Sequence, residues 1–156
     1  MKFAGKASKF NYSILGVAVH EDKVLLCKQG EEGLWTLPGG RVRFFESSID
    51  TLKKVIKEDL DTDIHIERLI WVAENSYVHD GTDCSELAFY YLIDFPLNSG
   101  IYGFEEPSSI NAKGKTLVFQ WHAIDKLEQL PIFPEFLRAG LKSIPNGTEH
   151  IRNKIG

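Results

Sequence analysis

The sequence lacks the features that mark several broad classes of protein. It holds two cysteines, Cys27 and Cys84, in 156 residues, so a disulfide framework is excluded and two free thiols are expected, as in the cytosol. No run of about 18 consecutive apolar residues occurs, so we predict no membrane span. The first ten residues place lysines among polar residues without an apolar core, so we expect no signal peptide. These absences favour a cytoplasmic protein.

An excess of positive charge is also missing. Lys and Arg number 18 against 22 Asp and Glu, a net charge of -4, so the molecule as a whole does not attract a polyanion and no stable nucleic-acid partner is predicted. Hydrophobic residues make up 43% of the chain and charged residues 26%, which is ordinary for a globular protein. The length of 156 residues predicts one domain that spans residues 1–156.

Apolar patterning predicts a sheet. Residues 12–20 and 23–28 are rich in β-forming residues and are separated by two acidic residues, which indicates a hairpin. Residues 87–95 are so continuously apolar that both faces of this strand should be buried. Two further strands are predicted over 64–73 and 116–123, and the Gly-, Ser-, Pro- and Asn-rich stretch 97–115 is predicted to be a long loop.

Two segments have a helical pattern. Ile49, Leu52, Ile56 and Leu60 recur every three or four residues and predict an amphipathic helix over 46–60, with Ser47 or Ser48 as its cap. Pro134 suits the first turn of a final helix. Its inward face would hold Phe133, Phe136, Leu137 and Leu141. Strands interleaved with two helices predict an α/β fold with the sheet packed between helices.

A glycine turn lies beside the carboxylate-bearing helix. Gly39 and Gly40 end a Leu-Pro-Gly-Gly run, and Glu58 and Asp59 share one exposed edge of the helix. Carboxylate and carbonyl oxygens are the ligands that Mg²⁺ prefers, and substrate phosphates usually complete its shell. A magnesium site is one interpretation of this spacing. A solvated acidic face beside an ordinary turn is the other.

The segment from Gly40 to Asp59 resembles the Nudix box. That family's pattern is Gly, five residues, Glu, seven residues, then Arg-Glu-aliphatic-any-Glu-Glu-any-Gly-aliphatic. The positions that match it outright are Gly40, Glu46, Ile56 and Glu58, the conservative replacements are Lys54 and Asp59, and the departures are Val55, Asp61 and Thr62. No gap is needed to keep the register.

The resemblance extends to the Leu-Pro-Gly-Gly turn, to the upstream Trp35, and to residues 74–95 and 121–151, which are similar to a bacterial branch that includes ADP-ribose pyrophosphatase-like members. It implies the Nudix fold, a mixed β-sheet sandwiched between α-helices. It also implies hydrolysis of a diphosphate linkage in a nucleoside diphosphate derivative, with ADP-ribose or a nucleotide sugar preferred, using Mg²⁺ or Mn²⁺. Relatives are commonly dimers, which favours a homodimer, although the sequence itself leaves the oligomeric state open.

By this resemblance Glu58, Asp59 and the carbonyl of Gly39 are the metal ligands. Val55 stands where many relatives have a carboxylate that binds metal or activates water, and an isopropyl group does neither. Lys54 also lacks the fork with which the usual Arg holds Glu46. Two outcomes stay open: an enzyme of reduced activity, or an inactive domain that binds a nucleotide.

A general base would then come from outside the box. The candidates are Glu86, at the start of a central strand, and Glu105 and Glu106, in the long loop where many relatives have an additional catalytic acid. We favour the loop pair. Each of the three is also compatible with a solvated surface acid.

Cationic and aromatic side chains complete the predicted site. Arg41 and Arg43 follow the glycine turn, and with Lys28 they are expected to hold phosphate oxygens, although exposed strand-edge charges are an alternative. Phe10 and Tyr12 are candidates for stacking on a purine, or else belong to the core. Phe44, Phe45 and Tyr77 are further aromatic candidates.

Overall fold

A computed structural model of the chain describes residues 7–30, 33–103, 108–112 and 114–154. Within these ranges the strands are β1 (Ser8–His20), β2 (Lys23–Gln29), β3 (Gly39–Arg41), β4 (His65–His79), β5 (Thr82–Asp94), β6 (Ser108–Ala112), β7 (Lys115–Ala123) and β8 (Glu149–Lys154). The helices are α1 (Ser48–Leu60) and α2 (Leu137–Gly140), with short 3-10 segments at Gly100–Gly103 and Ile124–Gln129.

The described strands form one mixed sheet. Their order is β6-β7-β2-β1-β5-β4-β8, and β3 pairs with β1 beside this path. The pairs β1–β5 and β4–β8 are parallel and the others are antiparallel. A mixed sheet with helices on it is the predicted α/β arrangement, which is confirmed.

The two faces of the sheet bury different apolar clusters. Phe89 and Ile93 of β5 pack with Leu52 and Ile56 of α1, and we call this side the α1 face. Ala88 and Tyr90 alternate with them and pack on the other side with Trp71 and Leu137, which we call the α2 face. Burial of both faces of β5, predicted from its continuous apolar run, is confirmed.

Local signals explain where α1 begins and ends. The Ser47 side chain accepts a hydrogen bond from the backbone N–H of Asp50 at 3.1 Å, so Ser47 is the N-cap. The helix stops at Asp61, whose φ of 52° is left-handed and whose N–H donates to the Lys57 carbonyl. The predicted helix is therefore confirmed, with a start two residues later than its first acidic residue.

Two expectations about the C-terminal half are corrected, and one strand there was missed. The final helix is only four residues long, because Gly140 is a poor helix former and lies against Trp71, where an added Cβ would be 3.0 Å from the ring. The expected loop 97–115 contains β6. Strand β8 was not predicted. Both β6 and β8 are polar strands at the two ends of the sheet, so neither has an apolar alternation to reveal it.

Cys27 and Cys84 are buried and unpaired, as predicted. Burial, reinforced by the charge of Asp59, raises the pKa of the Cys27 thiol to about 12, so this thiol is not a nucleophile at neutral pH. Among the residues that the structure describes, no helix has the length and apolar character needed to cross a membrane.

Candidate functional site

The glycine strand β3 lies directly on β1. Gly39 pairs with Leu15 and Gly40 pairs with Ile14. Gly39 has a φ of 153°, and a Cβ built on it would lie 2.0 Å from the carbonyl oxygen of Ile14. Only glycine fits such a close approach of two backbones, so the requirement at this position is steric.

Helix α1 crosses next to this strand through Val55. A Cβ built on Gly40 would meet Val55 Cγ2 at 3.8 Å, and the Val55 side chain is 5% exposed. The box position that often holds a carboxylate is therefore a buried apolar contact between helix and strand. Val55 contributes packing here and no oxygen ligand.

The Glu46 side chain connects the loop between β3 and α1 to the helix by two hydrogen-bonded contacts. Its Oε1 accepts a hydrogen bond from Thr51 Oγ1 at 2.8 Å, and its Oε2 accepts one from Lys54 Nζ. The backbone N–H of Arg43 donates to the same Thr51 hydroxyl at 3.1 Å. Lys54, and after it Thr51, hold the pKa of Glu46 below its usual value. Lys54 thus anchors Glu46 although it lacks the fork of an arginine.

The Glu58 carboxylate is bound by a side chain of the same loop. Arg43 donates to it twice, from Nη1 to Oε2 at 3.1 Å and from Nη2 to Oε1 at 2.7 Å. The two residues are 15 positions apart, and both side chains are partly exposed. The hydrogen bonds to Glu58 raise the pKa of Arg43, and the charges of Glu46 and Asp59 add to this. Arg43, Glu58 and Asp59 therefore share one corner of the molecule.

A row of polar side chains crosses four strands on the α2 face. Ser13 Oγ donates to Glu86 Oε2 at 2.9 Å, and Asn75 Nδ2 donates to Glu86 Oε1 at 2.8 Å. Asn153 Nδ2 in turn donates to Asn75 Oδ1 at 2.8 Å. Asn11 is the register partner of Glu86 on β1 and is 8% exposed. We call Asn11, Ser13, Asn75, Glu86 and Asn153 the polar row.

A cavity of about 220 Å³ opens beside Glu86. Its other lining residues are Leu15, Leu34, Thr36, Tyr90, Phe133 and Pro134. Tyr77 packs edge-on against Phe133 with ring centroids 5.7 Å apart. Burial, and secondarily the charge of Glu86, raise the pKa values of both Tyr77 and Tyr90, so these phenols are neutral at physiological pH. The cavity is therefore aromatic and apolar, with a single carboxylate at its wall.

A larger cavity of about 790 Å³ lies at the hairpin end of β1. It is lined by residues such as Asp22, Ile124 and Leu141, and it contains none of the predicted site residues. Size alone does not make it the candidate site, since the glycine strand, the box acids and the polar row all lie elsewhere.

Glu86, the one candidate base within the described residues, is not brought together with the acids of α1. Glu86 is on the α2 face, whereas Glu58 extends from α1 on the opposite side of the sheet. Glu105 and Glu106 lie outside the described residues. The identity of the general base stays a prediction.

The two arginines after the glycine turn diverge. Arg41 is the cross-strand partner of Ser13, so it leaves β3 on the side of the polar row. Arg43 binds Glu58 on the α1 side. Lys28 places its Nζ 4.8 Å from the ring centroid of Trp35, a cation–π contact.

The candidate stacking residues differ in their surroundings. Tyr12 packs edge-on against Phe89 at 5.5 Å on the α1 face, which is a core contact. Phe10 is 68% exposed at the start of β1. Phe44 and Phe45 are 90% and 97% exposed, with ring centroids 4.7 Å apart. This pair is therefore the most accessible aromatic surface beside Arg43.

The predicted metal ligands lie on α1 and β3. Glu58, Asp59 and the Gly39 carbonyl offer oxygen donors of the kind that Mg²⁺ and Mn²⁺ bind. No group of three or more His, Cys, Asp or Glu side chains within the described residues could hold a metal ion. Metal binding by these donors stays a prediction, and it would require Arg43 to share or release Glu58.

No protein-family model matches the sequence, and a comparison with curated proteins gives no significant match. Solved structures do match. A UDP-X diphosphatase superposes with a TM-score of 0.61 at 16% identity, over 96% of this chain and 70% of that one. A MutT Nudix hydrolase from Burkholderia pseudomallei gives 0.56 at 20% identity, over 87% and 98%.

An ADP-ribose pyrophosphatase from Streptococcus suis gives a TM-score of 0.52 at 17% identity, over 94% of this chain and 98% of that one. At these identities the similarity is one of fold. The chain has the fold of the Nudix hydrolases, as its resemblance to the box implied.

Proposed function

We propose that the protein binds a nucleoside diphosphate derivative and hydrolyses its diphosphate linkage. The observation that supports this best is the divergence of Arg41 and Arg43 from the short strand β3. Arg41 lies on the side of the polar row, and Arg43 faces the acids of α1. A diphosphate lying along β3 would receive an arginine from each side, with the rest of the ligand directed into the cavity.

Each residue of the proposed site has a separate role. Arg41 and Arg43 bind phosphate oxygens, while Glu58, Asp59 and the Gly39 carbonyl hold Mg²⁺ or Mn²⁺. When bound, the cation neutralises the diphosphate charge and lowers the pKa of a bound water. One of Glu105 and Glu106 remains the proposed base. We assign Glu86 to binding, since it lies at the cavity and away from α1.

The cavity favours a ligand with an apolar or aromatic part and hydrogen-bond donors. The Glu86 carboxylate accepts hydrogen bonds only, so it suits the hydroxyl groups of a sugar or the amino group of a base. ADP-ribose and nucleotide sugars have both. Phe10 remains a candidate for stacking and Lys28 for phosphate binding, whereas the contact of Tyr12 with Phe89 favours a structural role.

Nucleotide binding without turnover is the second candidate. Two observations favour it: Val55 is a buried apolar contact, and Glu58 is already paired with Arg43. A homodimer and a cytoplasmic location also remain proposals for either function.

One assay separates the two functions. The purified protein is incubated with Mg²⁺ or Mn²⁺ and a panel of ADP-ribose, nucleotide sugars, dinucleoside polyphosphates and nucleoside triphosphates, and phosphorylated products are followed. Turnover that Glu58→Gln removes supports the hydrolase, and Glu67→Gln, on an exposed acid of β4, is the control. Binding without turnover, with turnover gained by Val55→Glu, supports the binding module.

A further inference from the structure

The Arg43–Glu58 pair occupies the position at which a cation would be needed. Both oxygens of Glu58 accept hydrogen bonds from the guanidinium, at 2.7 and 3.1 Å, in the bidentate geometry that arginine forms with carboxylates. A divalent cation bound to Glu58 would use the same oxygens. The guanidinium and the cation are therefore alternatives at this carboxylate.

The loop holds Arg43 in place for this contact. Its N–H donates to the buried hydroxyl of Thr51, and its carbonyl accepts from the N–H of Glu46 at 3.0 Å. Glu46 is itself fixed by Thr51 and Lys54. Because the backbone on both sides of Arg43 is anchored to α1, the side chain loses less freedom on pairing than an isolated surface arginine does.

The charge balance at this corner also favours Arg43 over a cation as the partner of Glu58. Glu46, Glu58 and Asp59 supply three negative charges, and Arg43 and Lys54 supply two positive ones, which leaves a net of one negative charge. A carboxylate at position 55 would have made the corner more attractive to a cation, but Val55 is apolar. The need for a counter-ion is thus already largely met by the chain.

We infer that Arg43 competes with a divalent cation for Glu58 and gives the protein a metal-independent way to bind the diphosphate of its ligand. The inference rests on the proposed function for the identity of the ligand. A guanidinium has more N–H donors than one carboxylate uses, so the remaining donors are available to phosphate oxygens while the pair is intact. Binding then needs no metal, and metal binding requires Arg43 to turn away.

The first test measures metal binding without ligand or turnover. Mn²⁺ is titrated into the wild-type protein, Arg43→Gln and Lys57→Ala, and binding is followed by calorimetry and by the electron paramagnetic resonance signal of free Mn²⁺. We expect Arg43→Gln to bind Mn²⁺ about fivefold more tightly. Lys57→Ala is a matched control, because Lys57 precedes Glu58 but contacts Asp61 and Asp63, both at 3.8 Å. Equal affinity in Arg43→Gln and wild type overturns the competition.

The second test measures ligand binding without metal. ADP is titrated in the presence of EDTA, and we expect wild-type binding to weaken about tenfold in Arg43→Gln. Arg43→Lys, which keeps the charge but not the fork, should restore only part of it. ADP binding in EDTA that Arg43→Gln leaves unchanged overturns the metal-independent mode. Far-ultraviolet circular dichroism verifies that each variant folds.

These tests fail separately from the proposed function. If no ligand in the panel is turned over, the hydrolase proposal falls, but the Mn²⁺ and ADP measurements still decide the role of Arg43. If ADP binds neither with nor without Mn²⁺, the nucleotide ligand and the metal-independent mode both fall. The Mn²⁺ comparison then decides the competition alone.

Discussion

Glu58 and Glu86 are two carboxylates on opposite sides of the sheet, and they are held by different kinds of partner. Glu86 accepts hydrogen bonds from the neutral Ser13 and Asn75, within a buried row. Glu58 accepts from the charged Arg43 at a partly exposed edge. A largely buried hydrogen-bond network is costly to disturb, whereas a partly exposed ion pair exchanges partners at little cost. The α2 side is therefore suited to fixed recognition, and the α1 side to exchange of charged groups.

The sharpest test of this contrast is Glu58→Gln. Under the proposed function Glu58 is a ligand of the catalytic cation, so we expect turnover of the diphosphate ligand to fall by about 100-fold or more when its charge is removed. The free energy of unfolding should change little, since the pair with Arg43 is at the surface. Product release and urea unfolding are measured on the same variant. Unchanged turnover would assign the chemistry to other residues.

The opposite outcome is expected for Asn75→Ala. Asn75 is 1% exposed and bridges Glu86 and Asn153, so its removal leaves buried polar groups without partners. We expect a loss of about 2 kcal/mol in the free energy of unfolding. Asn98→Ala, at an exposed loop position, is the control. A loss no greater than that of Asn98→Ala would show that the polar row is not structural.

The contrast extends to pH through His122, whose ring packs 4.4 Å from that of Trp35 on the α2 side. Burial first, and then the charge of Lys28, hold the pKa of His122 below its ordinary value of 6.5. The unfolded chain therefore takes up a proton before the folded one does. The contribution of neutral His122 to the free energy of unfolding is fully present above pH 6.5 and is lost as the pH falls through and below this value. The slope of this loss corresponds to the uptake of at most one proton per molecule.

Urea unfolding between about pH 8 and about pH 5, a range that includes the ordinary pKa of histidine, tests this. His122→Phe should flatten the pH dependence in that range. His65→Gln, at an exposed histidine on β4, is the control and should leave the slope in place. A slope that survives His122→Phe would show that another group is responsible.

The smallest effect is expected in the loop of the α1 side. Phe45 has a φ of 64°, which is strained for a side chain with a Cβ, and its ring is 97% exposed. Phe45→Gly should therefore raise the free energy of unfolding by about 0.5 kcal/mol. Phe44→Gly is matched in exposure but lacks a positive φ, so it should not stabilise the protein. Equal effects of the two substitutions would contradict the account.

The sequence predicted what depends on local spacing. Helix α1 follows from residues a few positions apart and is confirmed, although Glu46 precedes it and Gly39 and Gly40 belong to strand β3. The polar row was not predicted, because Ser13 and Glu86 are 73 positions apart and meet only through the register of β1 and β5. The pairing of Arg43 with Glu58 was not predicted either, because the two residues are 15 positions apart and meet only through the course of the loop between β3 and α1. A motif gives each residue its place in the chain, but the course of the intervening loop decides which side chains meet.

The close approach at Gly39 has an evolutionary consequence. Its Cβ would lie 2.0 Å from the Ile14 carbonyl oxygen, so any replacement disrupts the β1–β3 pairing whether or not the protein is an enzyme. A descendant that abandoned hydrolysis would be free to drift at Glu58 yet would be bound to keep this glycine. Conservation of Gly39 among descendants would therefore indicate backbone packing, whereas conservation of the acids on α1 would be the better indicator of catalysis.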